Sequence, residues 1–149
     1  VDLTSFQRIL GMHKGKVVLV DFWATWCEPC KELFPHTVEV SRKYAAKDLT
    51  VVTMSFDDGA DDEDKASALK FLTESKAGTT VNLISSLDTA TSFDAYKIPG
   101  GAIPFFQLYD REGKLRHTFK VSPLTGPIDP AEIDLKIREL VMEKDPPAK

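Results

Sequence analysis

The chain has 149 residues, of which 42% are hydrophobic and 28% are charged, and its formal net charge is −4 with an isoelectric point near 5.4. This length fits a single domain, and the composition is typical of a globular protein rather than a disordered one. The acidic balance and the scattered Lys and Arg residues argue against a nucleic-acid partner, and no apolar run approaches the roughly 20 residues of a membrane-spanning helix. The first residues, Val-Asp-Leu, show no recognisable targeting signal.

Hydrophobic periodicity and turn residues predict alternating helices and strands followed by a hairpin. In chain order, the predicted elements are a helix over Asp2–Leu10, a strand over Val17–Trp23, a helix from Cys27 to about Ala46, a strand over Leu49–Phe56, a helix over about Asp64–Ser75, a short strand over Val81–Ile84, a short helix over Thr89–Tyr96, a hairpin of Pro104–Tyr109 and Lys114–Val121, and a helix over about Ala131–Glu143. Leu69 and Leu72 should face inward on the third helix. This order predicts an α/β sandwich, with one domain over residues 1–144 and a disordered tail over residues 145–149.

The two cysteines, Cys27 and Cys30, are informative because only two residues separate them. A disulfide that closes so short a loop adds little to stability, so the pair is expected to be chemical rather than structural. Disulfide exchange proceeds through a thiolate, and the first turn of a helix favours an anion through its free N–H groups and its dipole. Cys27 should therefore attack a substrate disulfide, and Cys30, one turn deeper, should resolve the mixed disulfide.

The alternative interpretation of the cysteine pair is half of a zinc site. A structural zinc ion normally needs a second pair of Cys or His ligands at similar spacing, and the three histidines are far apart in the sequence. A calcium loop beginning at Asp57 is disfavoured because no Glu stands at its twelfth position. We therefore expect neither a metal ion nor another cofactor.

The segment from Asp21 to Cys30, which reads DFWATWCEPC, resembles the active-site strand and motif of thioredoxins. Pro35 matches the proline that kinks the following helix in that family, and Ile103-Pro104 resembles its cis-proline segment. Within the superfamily, the chain is most similar to the TlpA/ResA group of bacterial envelope thiol–disulfide oxidoreductases. The resemblance implies a thioredoxin fold, with a central mixed β-sheet flanked by helices. It also implies an insertion between the second strand and the cis-proline, where residues 57–97 provide the length.

Asp21 interrupts an otherwise apolar strand six residues before Cys27. Burial of a carboxylate costs several kcal/mol unless it is paired or protonated, so we expect its pKa to be raised. The resemblance implies that Asp21 relays protons to the resolving cysteine, whereas the plainer alternative is a cap on local backbone at the end of the strand. Thioredoxins place a lysine near this aspartate on the next strand, and Thr53 stands at that position here.

A second acidic position is suggested by the ResA-like proteins, which use an acidic residue just after the second strand. Asp57 or Asp58 matches that description. The alternative for the whole acidic segment Asp57–Asp64 is a solvated loop that favours the N-terminus of the next helix, and this alternative is preferred for the loop as a whole.

The residues around the pair predict a substrate surface. Trp23 is expected to pack in the core, whereas Trp26 should border the surface that meets a substrate, together with Glu28 and Pro29 of the motif. Ile103, before Pro104, should present backbone groups to an extended substrate strand. Glu28 adds negative charge beside Cys27 and should oppose thiolate formation, which favours a reductant over a strong oxidant.

The resulting prediction is an enzyme, a thiol–disulfide oxidoreductase that reduces protein disulfides through Cys27 and Cys30, with Asp21 moving protons. The resemblance implies a periplasmic or membrane-associated extracytoplasmic location, cytochrome c maturation as one setting, and a monomer served by an upstream thiol electron donor, with a membrane-bound donor as one option. The alternatives are a general thioredoxin-like reductant of the cytoplasm and a non-catalytic binding module of the same fold.

Overall fold

The computed structural model describes residues 1–143, which form five α-helices and five β-strands. The helices are α1 (Leu3–Met12), α2 (Glu28–Lys43), α3 (Asp62–Glu74), α4 (Thr89–Ala95) and α5 (Pro130–Met142). The strands are β1 (Val17–Trp23), β2 (Leu49–Ser55), β3 (Val81–Ile84), β4 (Phe105–Tyr109) and β5 (Leu115–Lys120), with a 3₁₀ turn over Pro99–Gly101. Within this range, no helix combines the length and the apolar character needed to cross a membrane. The predicted tail over residues 145–149 lies outside the described residues, so that tail and the single domain over 1–144 stay predictions.

The five strands form one mixed sheet in the order β3-β2-β1-β4-β5. β1 pairs in parallel with β2 and antiparallel with β4, so it is the central strand. β4 and β5 form the predicted hairpin, closed by a turn in which the Gly113 N–H donates to the Asp110 carbonyl at 3.0 Å. β3 pairs in parallel with β2 at the edge of the sheet. The segment between β2 and Pro104 therefore provides α3, β3 and α4, where the resemblance implies an insertion.

All seven residues of β1 are buried because helices cover both faces of the sheet. Alternate residues point to opposite faces of a strand. Val18, Val20 and Phe22 belong to a core cluster with residues of α1 and α4. Val17 and Leu19 pack with residues of α5 and the end of α2, while Trp23 packs with α2 and α3. Asp21 lies on this second face, between Leu19 and Trp23, and is 1% exposed.

The elements agree with the predicted ones to within about three residues, and the difference that changes the packing concerns α3. This helix begins at Asp62 because the Asp61 carboxylate caps it, accepting hydrogen bonds from the N–H groups of Glu63 and Asp64. The prediction that Leu69 faces inward is wrong, since 66% of Leu69 is exposed. The inward face of α3 is centred on Ala68, and the partly buried Leu72 packs against the same cluster.

The loop between β2 and α3 is held against the segment after β3 by a close backbone approach at Gly59. A Cβ at this position would lie 1.9 Å from the Ser85 carbonyl oxygen, a distance that real side chains do not reach. The neighbouring Thr89 hydroxyl donates to the Phe56 carbonyl at 2.7 Å, which ties the same loop to the start of α4.

We predict that Gly59→Ala lowers the free energy of unfolding by about 2 kcal/mol, because the new methyl group collides with backbone that cannot move aside. Urea unfolding followed by circular dichroism measures the change. The matched control is Gly78→Ala, where a Cβ meets nothing within 4 Å, so its stability should be unchanged or slightly higher. Equal stability of both variants would contradict the packing constraint.

Candidate active site

Cys27 and Cys30 form a disulfide at the N-terminus of α2. Cys27 is the N-cap of this helix, and its Sγ accepts a hydrogen bond from the Cys30 N–H at 3.3 Å. Pro29 fits the first turn, where a helix has no partner for the N–H that proline lacks. The two sulfurs therefore sit where free N–H groups and the helix dipole favour a thiolate after reduction.

Both cysteines are buried, and Cys27 is slightly more exposed than Cys30. Cys27 is 6% exposed and Cys30 is 1% exposed. Cys30 packs in the cluster that contains Trp23 and Phe34, whereas Cys27 ends a turn in which its N–H donates to the Ala24 carbonyl at 3.1 Å. An outside reagent therefore reaches Cys27 first.

The predicted substrate residues surround Cys27. The Ile103–Pro104 peptide bond is cis, and the Ile103 carbonyl oxygen lies 3.8 Å from Cys27 Sγ. Trp26 is 54% exposed, and Pro29 is also exposed, whereas Pro104 is buried and Ile103 is partly buried. An irregular backbone segment that is not part of the sheet therefore lies next to Cys27 Sγ.

Glu28 is largely exposed to solvent. Its side chain is 75% exposed, and it forms an ion pair of 3.0 Å with Lys31, one turn later in α2. A solvent-exposed charge that is paired in this way acts only weakly on a neighbouring group. The sequence placed Glu28 beside Cys27, but the structure shows that Lys31 offsets part of its negative charge.

Asp21 is fully buried beneath α2. Its Oδ2 accepts a hydrogen bond of 2.8 Å from the Thr37 hydroxyl, and its Oδ1 has no hydrogen-bond partner among the described residues. Burial raises the pKa of Asp21 to about 7, and the Thr37 hydrogen bond opposes that rise. A raised pKa follows from the physical expectation that a buried carboxyl avoids its charged form. The structure gives Asp21 a side-chain partner in α2 rather than the backbone contacts of a strand-end cap.

Thr53 takes no part in holding Asp21. The two residues are directly paired across β1 and β2, but the Thr53 hydroxyl donates to the Asn82 side chain in β3 at 2.8 Å. The position that a lysine occupies in thioredoxins therefore provides no charge and no hydrogen bond to the buried carboxyl. Thr37, two helical turns after Cys30, provides the hydrogen bond instead.

Asp57 belongs to the site, whereas Asp58 does not contact it. Asp57 is 2% exposed, and its carboxylate accepts hydrogen bonds from the Thr25 N–H (3.1 Å), the Thr25 hydroxyl (2.6 Å) and the Ser55 hydroxyl (2.6 Å). Because Thr25 lies in the turn that leads into Cys27, Asp57 fixes that turn. Asp58 is partly exposed and accepts from the Ala60 N–H. The preferred alternative, a solvated acidic loop, is therefore wrong for Asp57 and describes only the residues that follow it.

Sequence reasoning missed Thr37 and Thr25. A threonine in the middle of a helix is ordinary, and nothing in the sequence shows that its hydroxyl meets a carboxyl on a strand. For Thr25 the sequence offers one signal of a hydrogen bond, namely a hydroxyl side chain in the turn directly before Trp26. Among residues 1–143, no group of three or more His, Cys, Asp or Glu side chains is arranged to hold a metal ion.

Comparisons with known proteins identify the relatives of this site. The family model described as Thioredoxin matches residues 1–75. The thiol-disulfide oxidoreductase ResA of Oceanobacillus iheyensis is 41% identical over 57 residues, which is 38% of this chain and 29% of that protein. The chain spans between 29% and 59% of the length of the first curated relatives it matches.

Solved structures extend the similarity to most of the chain. A Chlorobium tepidum protein described as a DsbE thiol:disulfide interchange protein is 28% identical, with a TM-score of 0.69 over 89% of this chain and 84% of that one. The exposed lipoprotein thioredoxin of Streptococcus pneumoniae is 25% identical, with a TM-score of 0.65 over 88% of this chain and 90% of that one. These similarities confirm the expected fold, a mixed sheet of the thioredoxin type flanked by helices.

We predict that Asp57→Ala lowers the free energy of unfolding by about 3 kcal/mol, because the buried Ser55 hydroxyl and two donor groups of the partly buried Thr25 lose their acceptor. Denaturant titration of the oxidised protein measures the loss. Asp58→Ala is the matched control, since it removes one acceptor at a partly exposed position and should cost about 1 kcal/mol or less. Equal costs for the two variants would mean that Asp57 does not hold the turn.

We predict that Asp21→Asn makes the oxidised protein more stable at neutral pH. The folded protein keeps the Asp21 proton up to a pKa of about 7, whereas the unfolded chain releases it near pH 3.9. The free energy of unfolding of the wild type therefore falls by about 4 kcal/mol as pH rises from about 4 to about 7, and it levels off above that range. The gain in the variant is this amount less the cost of burying the new amide. Asparagine keeps an acceptor for Thr37 but does not titrate.

Urea unfolding of Asp21→Asn and wild type between pH 4.5 and 8 tests this prediction. The stability difference should grow with pH in favour of the variant. A difference that stays constant with pH, or a variant that is less stable at pH 7.5, would show that the Asp21 carboxyl is not held neutral by burial.

Proposed function

This chain belongs to the thioredoxin family, and on that basis we propose that it is a thiol–disulfide oxidoreductase that reduces protein disulfides outside the cytoplasm. The observation that supports this function best is the placement of the Cys27–Cys30 disulfide at the N-terminus of α2, with the Ile103 carbonyl 3.8 Å from Cys27 Sγ. A structural disulfide has no need of a position at a helix N-terminus next to an exposed aromatic residue.

The proposed reaction moves two electrons from the reduced pair to a substrate disulfide. The Cys27 thiolate attacks one substrate sulfur, forms a mixed disulfide and releases the other substrate sulfur as a thiolate. Cys30 then loses its proton and attacks Cys27 Sγ, which restores the Cys27–Cys30 disulfide and releases the second substrate thiolate. An upstream thiol donor must reduce the pair before the next cycle.

Asp21 is the proposed acceptor of the Cys30 proton. A base is most effective when its pKa lies near the working pH, and burial raises the pKa of Asp21 to about 7. The free Oδ1 lies on the sheet face that packs under α2, the helix that contains Cys30. Transfer through a buried water is compatible with a polar atom that lacks a partner.

The substrate is proposed to be an extended protein segment that contains a disulfide. Trp26 offers an exposed ring beside Cys27, and the irregular Ile103–Pro104 segment offers backbone groups next to the reacting sulfur. Edge pairing with an extended chain is a common way of binding a peptide without a deep pocket. An apocytochrome c is the specific substrate that the TlpA/ResA resemblance suggests.

The proposed location rests on relatives rather than on this chain. The pneumococcal structural neighbour is an exposed lipoprotein, and that description supports an extracytoplasmic place for this protein as well. We further propose that it acts as a monomer and that its reductant is a thiol protein. A membrane-bound thiol protein is one candidate for this reductant.

The proposed roles of the cysteines are tested by trapping. Reduced Cys30→Ser should accumulate a mixed disulfide through Cys27 with a disulfide-containing substrate such as insulin, because the resolving thiol is gone. Non-reducing gels and mass spectrometry detect the adduct. Cys27→Ser is the matched control and should trap little, since Cys30 is 1% exposed. Trapping through Cys30 would reverse the roles, and no trapping with either variant, together with no insulin reduction by the wild type, would refute the proposed function.

A further inference from the structure

Thr37 makes an unusual use of its hydroxyl. A threonine inside a helix commonly donates its hydroxyl hydrogen to the carbonyl four residues earlier. Thr37 instead donates across to β1, reaching Asp21 Oδ2 at 2.8 Å, and both residues are 1% exposed. The hydrogen bond therefore joins the helix that contains Cys30 to the central strand of the sheet.

This hydrogen bond distinguishes the two oxygens of the Asp21 carboxyl. Oδ2 accepts from Thr37, so in the neutral acid it takes the part of the carbonyl oxygen. Oδ1 has no partner among the described residues and must then be the oxygen that holds the proton. The same oxygen is the one free to accept a proton when the carboxyl is charged. Trp23 Nε1, on the same face of β1, is the other buried polar atom without a partner in the described part of the chain.

Among residues 1–143, the Thr37 hydroxyl makes the only hydrogen bond to the Asp21 carboxyl. The adjacent strands present Thr53, which bonds to Asn82, and the apolar Phe106. On the helices packed over this face, His36 of α2 interacts electrostatically with Asp134 of α5. Glu39 and Lys43, in the same helix as His36, also act on the His36 side chain. Burial raises the pKa of Asp21, the Thr37 hydrogen bond opposes that rise, and the two cysteines are joined and do not titrate.

We propose that Thr37 is the positioning residue of the proton relay: its hydroxyl holds Asp21 Oδ2 in place and thereby reserves Oδ1 for the proton that leaves Cys30. This inference rests on the proposed function, because it assigns a part in the same exchange reaction. In the reducing direction, the Cys30 S–H bond breaks, its proton goes to Oδ1, and the sulfur electron pair forms the bond to Cys27 Sγ. The bond between Cys27 Sγ and the substrate sulfur breaks at the same time, and the substrate sulfur leaves as a thiolate. When the disulfide is reduced again, Oδ1 returns the proton.

Three variants test the role of Thr37. Thr37→Val removes the hydroxyl and keeps the shape of the side chain, Thr37→Ser keeps the hydroxyl, and Thr53→Val is the matched control. Thr53 is directly paired with Asp21, is equally buried, and makes its hydrogen bond to a different residue. If a neighbouring hydroxyl matters only for packing, the two valine variants should behave alike.

The first measurement is the pKa of the Asp21 carboxyl, followed by carbon NMR of the oxidised protein between pH 4 and 9. Thr37→Val should raise this pKa by about one unit, because a hydrogen bond that favours the charged form is lost. Thr37→Ser and Thr53→Val should keep the wild-type value. An unchanged or lower pKa in Thr37→Val would overturn the inference.

The second measurement is the pH dependence of insulin reduction. The acidic limb of the Thr37→Val profile should move up by about one pH unit, so that the rate at pH 7 falls about fivefold, while the rate above pH 9 returns to that of the wild type. Thr37→Ser should restore the profile, and Thr53→Val should leave it unchanged. If the two valine variants show the same pH profile, the inference is overturned, even if both reduce insulin more slowly than the wild type.

The outcomes keep this inference separate from the proposed function. If wild type does not reduce insulin at any pH, the proposed function fails, while the NMR titration still decides whether Thr37 controls Asp21. If wild type is active and the NMR titration of Thr37→Val is unchanged, only the role of Thr37 fails. Should Thr37→Val not fold at pH 5, where Asp21 is neutral, Thr37→Ala takes its place in both measurements with the same expected shifts.

Discussion

The complete burial of β1 is the constraint on which the rest of the site depends. Helices cover both faces of this strand, and neighbouring strands take up its backbone groups on both edges. Every side chain of β1 must therefore either be apolar or find a partner inside the protein. Asp21 is the one residue of this strand that is not apolar, and its partner is the Thr37 hydroxyl. The same strand ends at the turn that delivers Cys27 to the N-terminus of α2.

Two buried aspartates near the cysteines show how partners decide the behaviour of a carboxyl group. Asp57 accepts hydrogen bonds from three donor groups and uses them to hold the turn at Thr25. Asp21 accepts one hydrogen bond, keeps a free oxygen, and has its pKa raised to about 7 by burial. The hydrogen bonds of Asp57 tie β2 to the turn before Cys27, whereas burial with a single hydrogen bond favours the neutral form of Asp21.

Agreement between sequence and structure is best where local rules are strong. The apolar run of β1 and the turn at Asp110–Gly113 were predicted correctly, because burial on both faces and tight-turn residues leave plain signals. The inward face of α3 was not, because Leu69 and Ala68 are both acceptable on a buried helix face. Ala68 packs in the cluster of Trp23 and Phe34, on which Phe71 of the same helix also stacks, and no local pattern encodes that contact between elements.

The sequence by itself determined the chemistry of the site: two cysteines one helical turn apart, a proline suited to the first turn, and a carboxyl in an apolar strand. These features are local, so spacing and residue type suffice to find them. Only the tertiary structure decided which partners tune them. Thr37 lies 16 positions after Asp21, and Asp57 lies 32 positions after Thr25, yet each pair is joined by a hydrogen bond. Thr53 is paired with Asp21 across the two strands, but its hydroxyl bonds to Asn82 instead. Hydrogen bonds of this kind depend on how helices lie across a sheet, which is settled by packing of the whole core rather than by any segment of the chain.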